Sequence, residues 1–240
     1  MDNSINVVTA AQRVLQQQMV VIANNIANAT TVGFRAENVE FHTLVSSPGV
    51  ENVNFPTTAK LYPSSENGSL QNTGNPLDIA LAGNGWFAIA TPSGTAYTRD
   101  GRMQINAFGE LQTIEGHAIL DASNAPLLIP TNSGPPKIHS DGRIEVNGNQ
   151  VGNIGVFEVN EKDMQSRFGN SSFFANTPGI PIGIGANIKI QQGFLEGSNV
   201  NAMREMANLI TVSRSFESAA SMIEGADSAI SKSISELAGS

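Results

Sequence analysis

The chain has no cysteine, a single tryptophan and only three histidines in 240 residues. Without cysteine there can be neither a disulfide framework nor a thiolate metal site. Charge is scarce too, at 14% of residues against roughly 25% in an average soluble domain, and Asn, Ser, Thr and Gly fill the gap. Such a surface makes contacts by uncharged hydrogen bonding more than by charge steering. The net charge is −8, which argues against nucleic acid or an anionic membrane as partner, since both select clustered Lys and Arg. Long apolar runs are missing: Met19–Ala23 falls far short of the roughly 18 residues that suggest a span, so no membrane insertion is expected. The N-terminus, with Asp2 and no basic cluster, does not resemble a secretory signal, and a route out of the cytoplasm is expected not to use a cleaved one.

What is present is organised around Met19–Arg35, where a helical pattern passes through Asn24, Asn25 and Asn28 and stops at Thr30, Thr31 and Gly33. Asparagine is a poor helix former and glycine closes helices in the left-handed conformation, so a helix ends here. Upstream, Ile5, Val8, Gln12, Leu15, Met19, Ile22 and Ile26 recur at steps of three and four, a heptad seam with one polar member. Asp2, Asn3 and Ser4 are N-cap candidates, and a helix from Ser4 to Asn28 would be roughly 37 Å long. Its other faces carry Ala, Gln, Thr and Val, including Val7, Val14 and Val21; a helix apolar on several faces is buried by several neighbours.

From Ala36 to Pro76 the pattern breaks at Pro48-Gly49, Pro56, Pro63, Asn67-Gly68 and Gly74-Asn75-Pro76, which reads as an extended connector carrying short strands or lying along other subunits. A β-rich block follows. Leu77, Ile79 and Leu81 alternate, Gly83-Asn84-Gly85 reads as a hairpin turn, and Trp86, Phe87 and Ile89 form the next strand. Tyr97-Thr98 and Met103-Ile105 flank Asp100-Gly101 as another expected hairpin; further strands are expected at Leu111, Ile144–Val146, Ile154–Val159 and Ile188–Leu195. Short strands at this spacing predict an all-β, sandwich- or barrel-like domain.

A second long helix is expected from Asn199 to Leu237, capped by Ser198 or Asn199, with Met203, Met206, Ile210, Ser213, Phe216, Ala220, Ile223, Asp227, Ile230, Ile234 and Leu237 along its seam. At roughly 58 Å it outruns the first helix. If the two pair antiparallel, part of its apolar stripe has to be buried by another subunit or remain disordered until one arrives. The organisation expected is therefore 1–35, the N-terminal helix of an inner helical domain; 36–76, the connector; 77–197, the central β domain; and 198–240, the C-terminal helix. The fold class is mixed α and β, a coiled-coil-like pair of terminal helices around an all-β domain.

The sequence offers little chemistry. His42, His117 and His139 are far apart, and no zinc or calcium ligand spacing occurs, so no metal, cofactor or catalytic residue is expected. His139-Ser140-Asp141 holds the letters of a hydrolase triad, but strand neighbours point to opposite faces and no nucleophile elbow surrounds Ser140. Gly83-Asn84-Gly85 lacks the Lys-Ser/Thr and the helix of a phosphate loop. Asp78, Asp100 and Glu110 are the candidate acid–base pairs of a rival reading, a secreted cell-wall-binding or cell-wall-hydrolysing β protein; acidic residues at turns are more often simply solvated. Met203 and Met206 serve equally as seam filler or as an adaptable interface.

Two runs carry a family resemblance. Ala23-Asn24-Asn25-Ile26-Ala27-Asn28-Ala29-Thr30 with Gly33-Phe34-Arg35 resembles the N-terminal signature of bacterial flagellar rod and hook proteins. Gly193–Ala202, with Met206, Ile210, Arg214, Phe216 and Glu217, resembles their C-terminal one. Leu77-Asp78, Gly85-Trp86-Phe87-Ala88 and Tyr97-Thr98-Arg99-Asp100-Gly101 are similar to their β-domain motifs. Val32 and Asn6 depart from the usual residues at their positions. The resemblance covers nearly the whole chain, and within the family the short length, Gly-Trp-Phe-Ala and Leu-Glu-Gly-Ser-Asn-Val-Asn favour the proximal rod over a distal rod or hook protein. It implies a non-enzymatic subunit of the basal-body rod, exported through the flagellar type III apparatus to the periplasmic space. There it would assemble helically with its own copies and other rod proteins into the shaft that transmits torque. The expected assembly interface comprises the seam residues Ile5, Val8, Leu15, Met19, Ile22, Ile26, Met203, Met206, Ile210, Phe216, Ile223, Ile230 and Ile234, and the signature residues Asn24, Asn25, Asn28, Asn199 and Asn201.

Overall fold

The computed structural model describes residues 2–44, 55–130, 134–185 and 188–238 of the chain. It falls into two compact units, one of Met1–Ala27, Glu37–Leu61 and Asn201–Ser240, the other of Asn28–Ala36 and Tyr62–Val200.

The first unit holds helix α1, Asp2–Ala27, and helix α2, Ala202–Ala238, packed against each other, with the strands Glu37–Leu44 and Phe55–Pro63 paired beside them. At 26 and 37 residues the helices are about 39 and 55 Å long. Neither is long and apolar enough to cross a membrane. The cap of α2 is Asn201, two positions beyond the nearer predicted one: its Oδ1 accepts from Arg204 N at 3.1 Å and its carbonyl from Glu205 N at 2.9 Å. Asn199 is engaged elsewhere, and a cap must have a free side-chain oxygen. On α1 the fully buried side chains, among those described, are Val21 and Asn25. Both lie off the expected heptad seam, whose described apolar members Val8, Leu15, Met19, Ile22 and Ile26 are half-buried.

The second unit corrects the expected sandwich or barrel. Among the described residues the strands fall into six sheets, one of six strands, one of three and four of two, and none closes on itself. The reason is local. Most of these strands run two to six residues before a turn, often with a positive-φ glycine, so ladders end before they can curl round. The two anticipated hairpins at Gly83-Asn84-Gly85 and Asp100-Gly101 are not hairpins. Ile79–Ala82 pairs with Lys189–Gln192, while Trp86–Thr91 pairs with Gly94–Thr98 and Val156–Glu158, so the first turn passes the chain from one sheet to another. Gly94–Thr98 pairs onward with Ser172–Ala175, and Met103–Ile105 pairs with Leu111–Thr113.

The Trp86–Thr91 strand has cover on both faces. Phe87 and Ile89 enter a core with Ile79, Leu81, Ile119 and Ile144, whereas Trp86 and Ala88 enter a second with Tyr97, Phe157, Met164 and Phe173. Side chains alternate faces along a strand, so its near-continuous apolar run follows from double coverage. Trp86 meets Phe173 edge-on at 6.0 Å, and the Tyr97 hydroxyl accepts from Gly179 N at 2.6 Å.

Candidate functional site

The residues on either side of the helix ends come together in the second unit. Leu70–Asn72 pairs antiparallel with Phe194–Glu196. Gly33 takes φ 67° and donates its N–H to Glu196 O at 2.8 Å. Asn199 ties the strands around it: its Oδ1 accepts from Ala36 N and its Nδ2 donates to Glu66 O, both at 2.7 Å. Within the helical unit Asn25 grips Glu37 twice, accepting from its N–H at 2.9 Å and donating to its carbonyl at 3.1 Å. These two signature asparagines therefore do the work of backbone, satisfying peptide groups where helix and sheet ladders stop.

At the centre lies a buried ion cluster. Glu196, 1% exposed, receives Arg35 Nη2 on Oε1 at 2.8 Å and Arg99 Nη1 on Oε2 at 2.9 Å; both arginine side chains are 2% exposed. Gly68 N also donates to Oε1 at 2.8 Å. Arg35 gives its other Nη hydrogens to Asn67 Oδ1 and the Ser65 and Glu66 carbonyls, and Arg99 to the Leu81 and Gly83 carbonyls. Both guanidinium groups lie over Trp86, at 5.7 and 5.6 Å from its ring centroid. Burial lowers the Arg35 guanidinium to about 10 against the pull of Glu196, with Arg99 pressing the same way, and burial likewise lowers Arg99. The Nε atoms of both arginines are buried without a hydrogen-bond partner. Desolvation and the two unmatched donors offset much of what the ion pairs contribute.

Arg167 extends it, lying 4.2 Å from the Phe34 ring centroid and 4.4 Å from that of Phe173, with Nη2 donating to Arg35 O at 3.0 Å. A cleft of ≈ 710 Å³ opens beside the cluster, with Trp86 and the two arginines among its lining and Glu158 and Glu161 on its wall. Each arginine Nη atom donates to at least one protein acceptor. Burial holds the Glu161 carboxyl above the usual carboxylate range despite Arg35 and Arg99. A raised acid favours the fold when protonated, so its contribution is fully present below the unfolded-state pKa and is lost as pH rises through the folded value. Glu161→Gln is therefore expected to be more stable than the parent at neutral pH, the difference fading as pH falls into the ordinary carboxylate range. Urea melts at a series of pH values check this.

Each acid–base candidate of the rival reading is engaged by a neighbour of its own, and Asp78 and Asp100 both flank Arg102. Asp78 takes Thr73 Oγ1 at 2.7 Å and Asn75 Nδ2 at 3.0 Å, Asp100 grips Arg102 at 2.6 Å, and Glu110 takes Asn106 Nδ2 at 3.1 Å. His139 pairs with Glu145 at 2.8 Å and Asp141 with Arg143 at 2.6 Å, so His139, Ser140 and Asp141 form no relay. Among the described residues no group of three or more His, Asp or Glu could hold a metal ion.

The other expected interface residues scatter. Asn24, Asn201, Met203, Met206 and Ile210 are exposed, while Asn28, Phe216 and Ile223 are half-buried; the side chains of Ile5, Ile230 and Ile234 lie outside the described residues. In the sequence Arg35, Arg99 and Glu196 stand out only as letters of the family motifs. Their signal was a charge set among glycine and apolar residues in a chain that has few charges.

Comparison with known proteins gives matches at both ends and the middle. Residues 5–35 match the family model described as flagella basal body rod protein, 80–146 that of the flagellar hook protein FlgE/F/G D1 domain, and 191–236 that of the flagellar basal body rod FlgEFG protein C-terminal region. The flagellar basal-body rod protein FlgF of Mesorhizobium japonicum is 44% identical over 99% of this chain and 98% of its own length. FlgF of Rhizobium meliloti is 35% identical over the full length of both. FlgG of Bacillus subtilis is 31% identical over 88% of this chain and 90% of its own length. With full-length relatives at this identity, and with the helix-root asparagines and the ion cluster built from the matched segments, the chain belongs to the flagellar basal-body rod protein family and is a structural subunit of the bacterial flagellar rod.

Proposed function

We propose that this subunit polymerises through the apolar faces of α1 and α2 into the proximal part of the rod, in the periplasmic space, after export through the flagellar type III apparatus, and that it has no enzymatic activity. The observation that carries this reading is the apolar face α2 leaves open: Met203 is 77% exposed, Ile210 56% and Met206 42%, large side chains at helical spacing that a lone copy leaves in water. Subunits joined by two different faces build an open helix, the geometry a shaft needs. The second unit has a doubly covered strand and buried charges of its own.

The test is Met206→Asp with Ile210→Asp in the full chain. Both side chains are exposed, so near-UV circular dichroism of Trp86 is expected to be unchanged. Recovery of the variant in isolated basal bodies is expected to fall at least about ten-fold, as for removal of two interface anchors. Undiminished incorporation and motility would overturn the reading.

A further inference from the structure

The second unit has an apolar surface of its own that its cores do not use. Phe108, at the tip of the hairpin Met103–Ile105 and Leu111–Thr113, is 89% exposed. It is not loose. Asn106 Oδ1 accepts from Phe108 N and Glu110 N, both at 2.9 Å, Asn106 N donates to Glu110 O at 3.0 Å, and Gly109 N donates to Asn106 O at 3.0 Å. A turn locked by four hydrogen bonds thus holds a phenylalanine out in water. Beside it runs an extended segment, with Leu111 N bonded to Leu127 O at 2.9 Å and Ile129 N to Gly109 O at 2.6 Å. Strand alternation turns Leu127 and Ile129 inward and leaves Pro126, Leu128 and Pro130 exposed, Leu128 at 62%. A rigid aromatic anchor beside a preorganised apolar stripe has the anatomy of a binding hot spot.

We infer that this Phe108–Leu128 knob docks on the Met203–Met206–Ile210 face of α2 in a second copy of the chain. The inference rests on the polymerisation proposed above and adds the surface that covers the helix. Three features match the two surfaces. Their lengths agree: Pro126 to Pro130 spans about 13 Å of extended chain, and Met203 to Ile210 about 10 Å of helix. One pair of opposite charges faces across, Glu110 two residues from Phe108 and Arg204 next to Met203, neither in an ion pair among the described residues. Their shapes suit each other too, since unbranched methionines re-form around a projecting ring. One contact covers two apolar surfaces, and because the surfaces differ it repeats along an assembly without closing.

The chain has no cysteine, so disulfide trapping is unambiguous. Ala107 sits beside the anchor and Ala207 on the same helical face as Met203 and Ile210, both exposed, and replacing them leaves the anchors intact. In isolated basal bodies under mild oxidation, Ala107→Cys/Ala207→Cys is expected to give a ladder of linked copies beyond the dimer, and each single variant only monomer. Phe108→Ser is expected to abolish the ladder in the double-cysteine chain and to weaken incorporation roughly thirty-fold. Incorporated double variant without a ladder, an intramolecular bond, or dimers from Ala207→Cys alone would overturn the inference and leave the rod reading standing. Absence of even the parent chain from basal bodies would overturn both.

Discussion

Glu196→Gln is expected to destabilise the second unit by about 3–5 kcal/mol, because it leaves two buried guanidinium groups facing each other without a carboxylate. The amide retains the size of the side chain and one acceptor oxygen, so the loss reports charge and not a cavity. Arg35 and Arg99 already sit below the usual arginine range through burial, with Glu196 as the largest opposing influence on each. The measurement is equilibrium unfolding in urea followed by Trp86, which lies under both guanidiniums and is the only tryptophan in the chain. Replacing all three residues, Arg35→Met, Arg99→Met and Glu196→Met, is expected to cost less than the single change, since nothing charged is then stranded. A triple variant weaker than Glu196→Gln would show that the cluster stabilises the fold outright.

Gly33→Ala is expected to cost about 2–4 kcal/mol. Two effects add at this position. The backbone is left-handed, φ 67°, and an added Cβ would stand 2.3 Å from Asp100 N and 2.5 Å from Arg99 C. Both are backbone atoms, so relief requires moving the segment that carries Arg99 and weakening the Gly33 bond to Glu196. Gly74 separates the two effects, with φ 69° and nothing within 4 Å of its Cβ position. Gly74→Ala should therefore cost about 1 kcal/mol, the backbone part alone. Equal losses at the two sites, read from urea midpoints, would mean that the close approach at Gly33 has no weight.

What the sequence discloses here is local, and what it conceals is pairing. Two long helices are visible because side-chain period and caps are short-range properties, and Gly33 declares the end of the first because only glycine takes its conformation cheaply. The cap of α2 is misjudged at Ser198 or Asn199 because Asn199 is also a good cap by type; its oxygen is taken by Ala36, 163 residues away. The expected hairpins at Gly83-Asn84-Gly85 and Asp100-Gly101 fail for the same reason. Turn chemistry shows that the chain reverses but not whether the flanking strands pair, and here Leu81 lies opposite Ile190 instead. The seam on α1 misleads differently: strict heptads favour Ile22, while the neighbours bury Val21 and Asn25, because a helix with several apolar faces does not announce which one its surroundings select. The ion cluster joins residues 35, 99 and 196, and no window of sequence contains more than one of them.

That separation has a kinetic side. Gly33, Phe34 and Arg35 wait for a carboxylate some 160 residues later in the chain, and the closure entropy of such a loop must be met before any of its contacts is formed. A polypeptide emerging from its N-terminus can therefore make local turns and hairpins early, yet cannot lock its central body until Glu196 has arrived. Contacts this far apart in sequence close late, after the local turns.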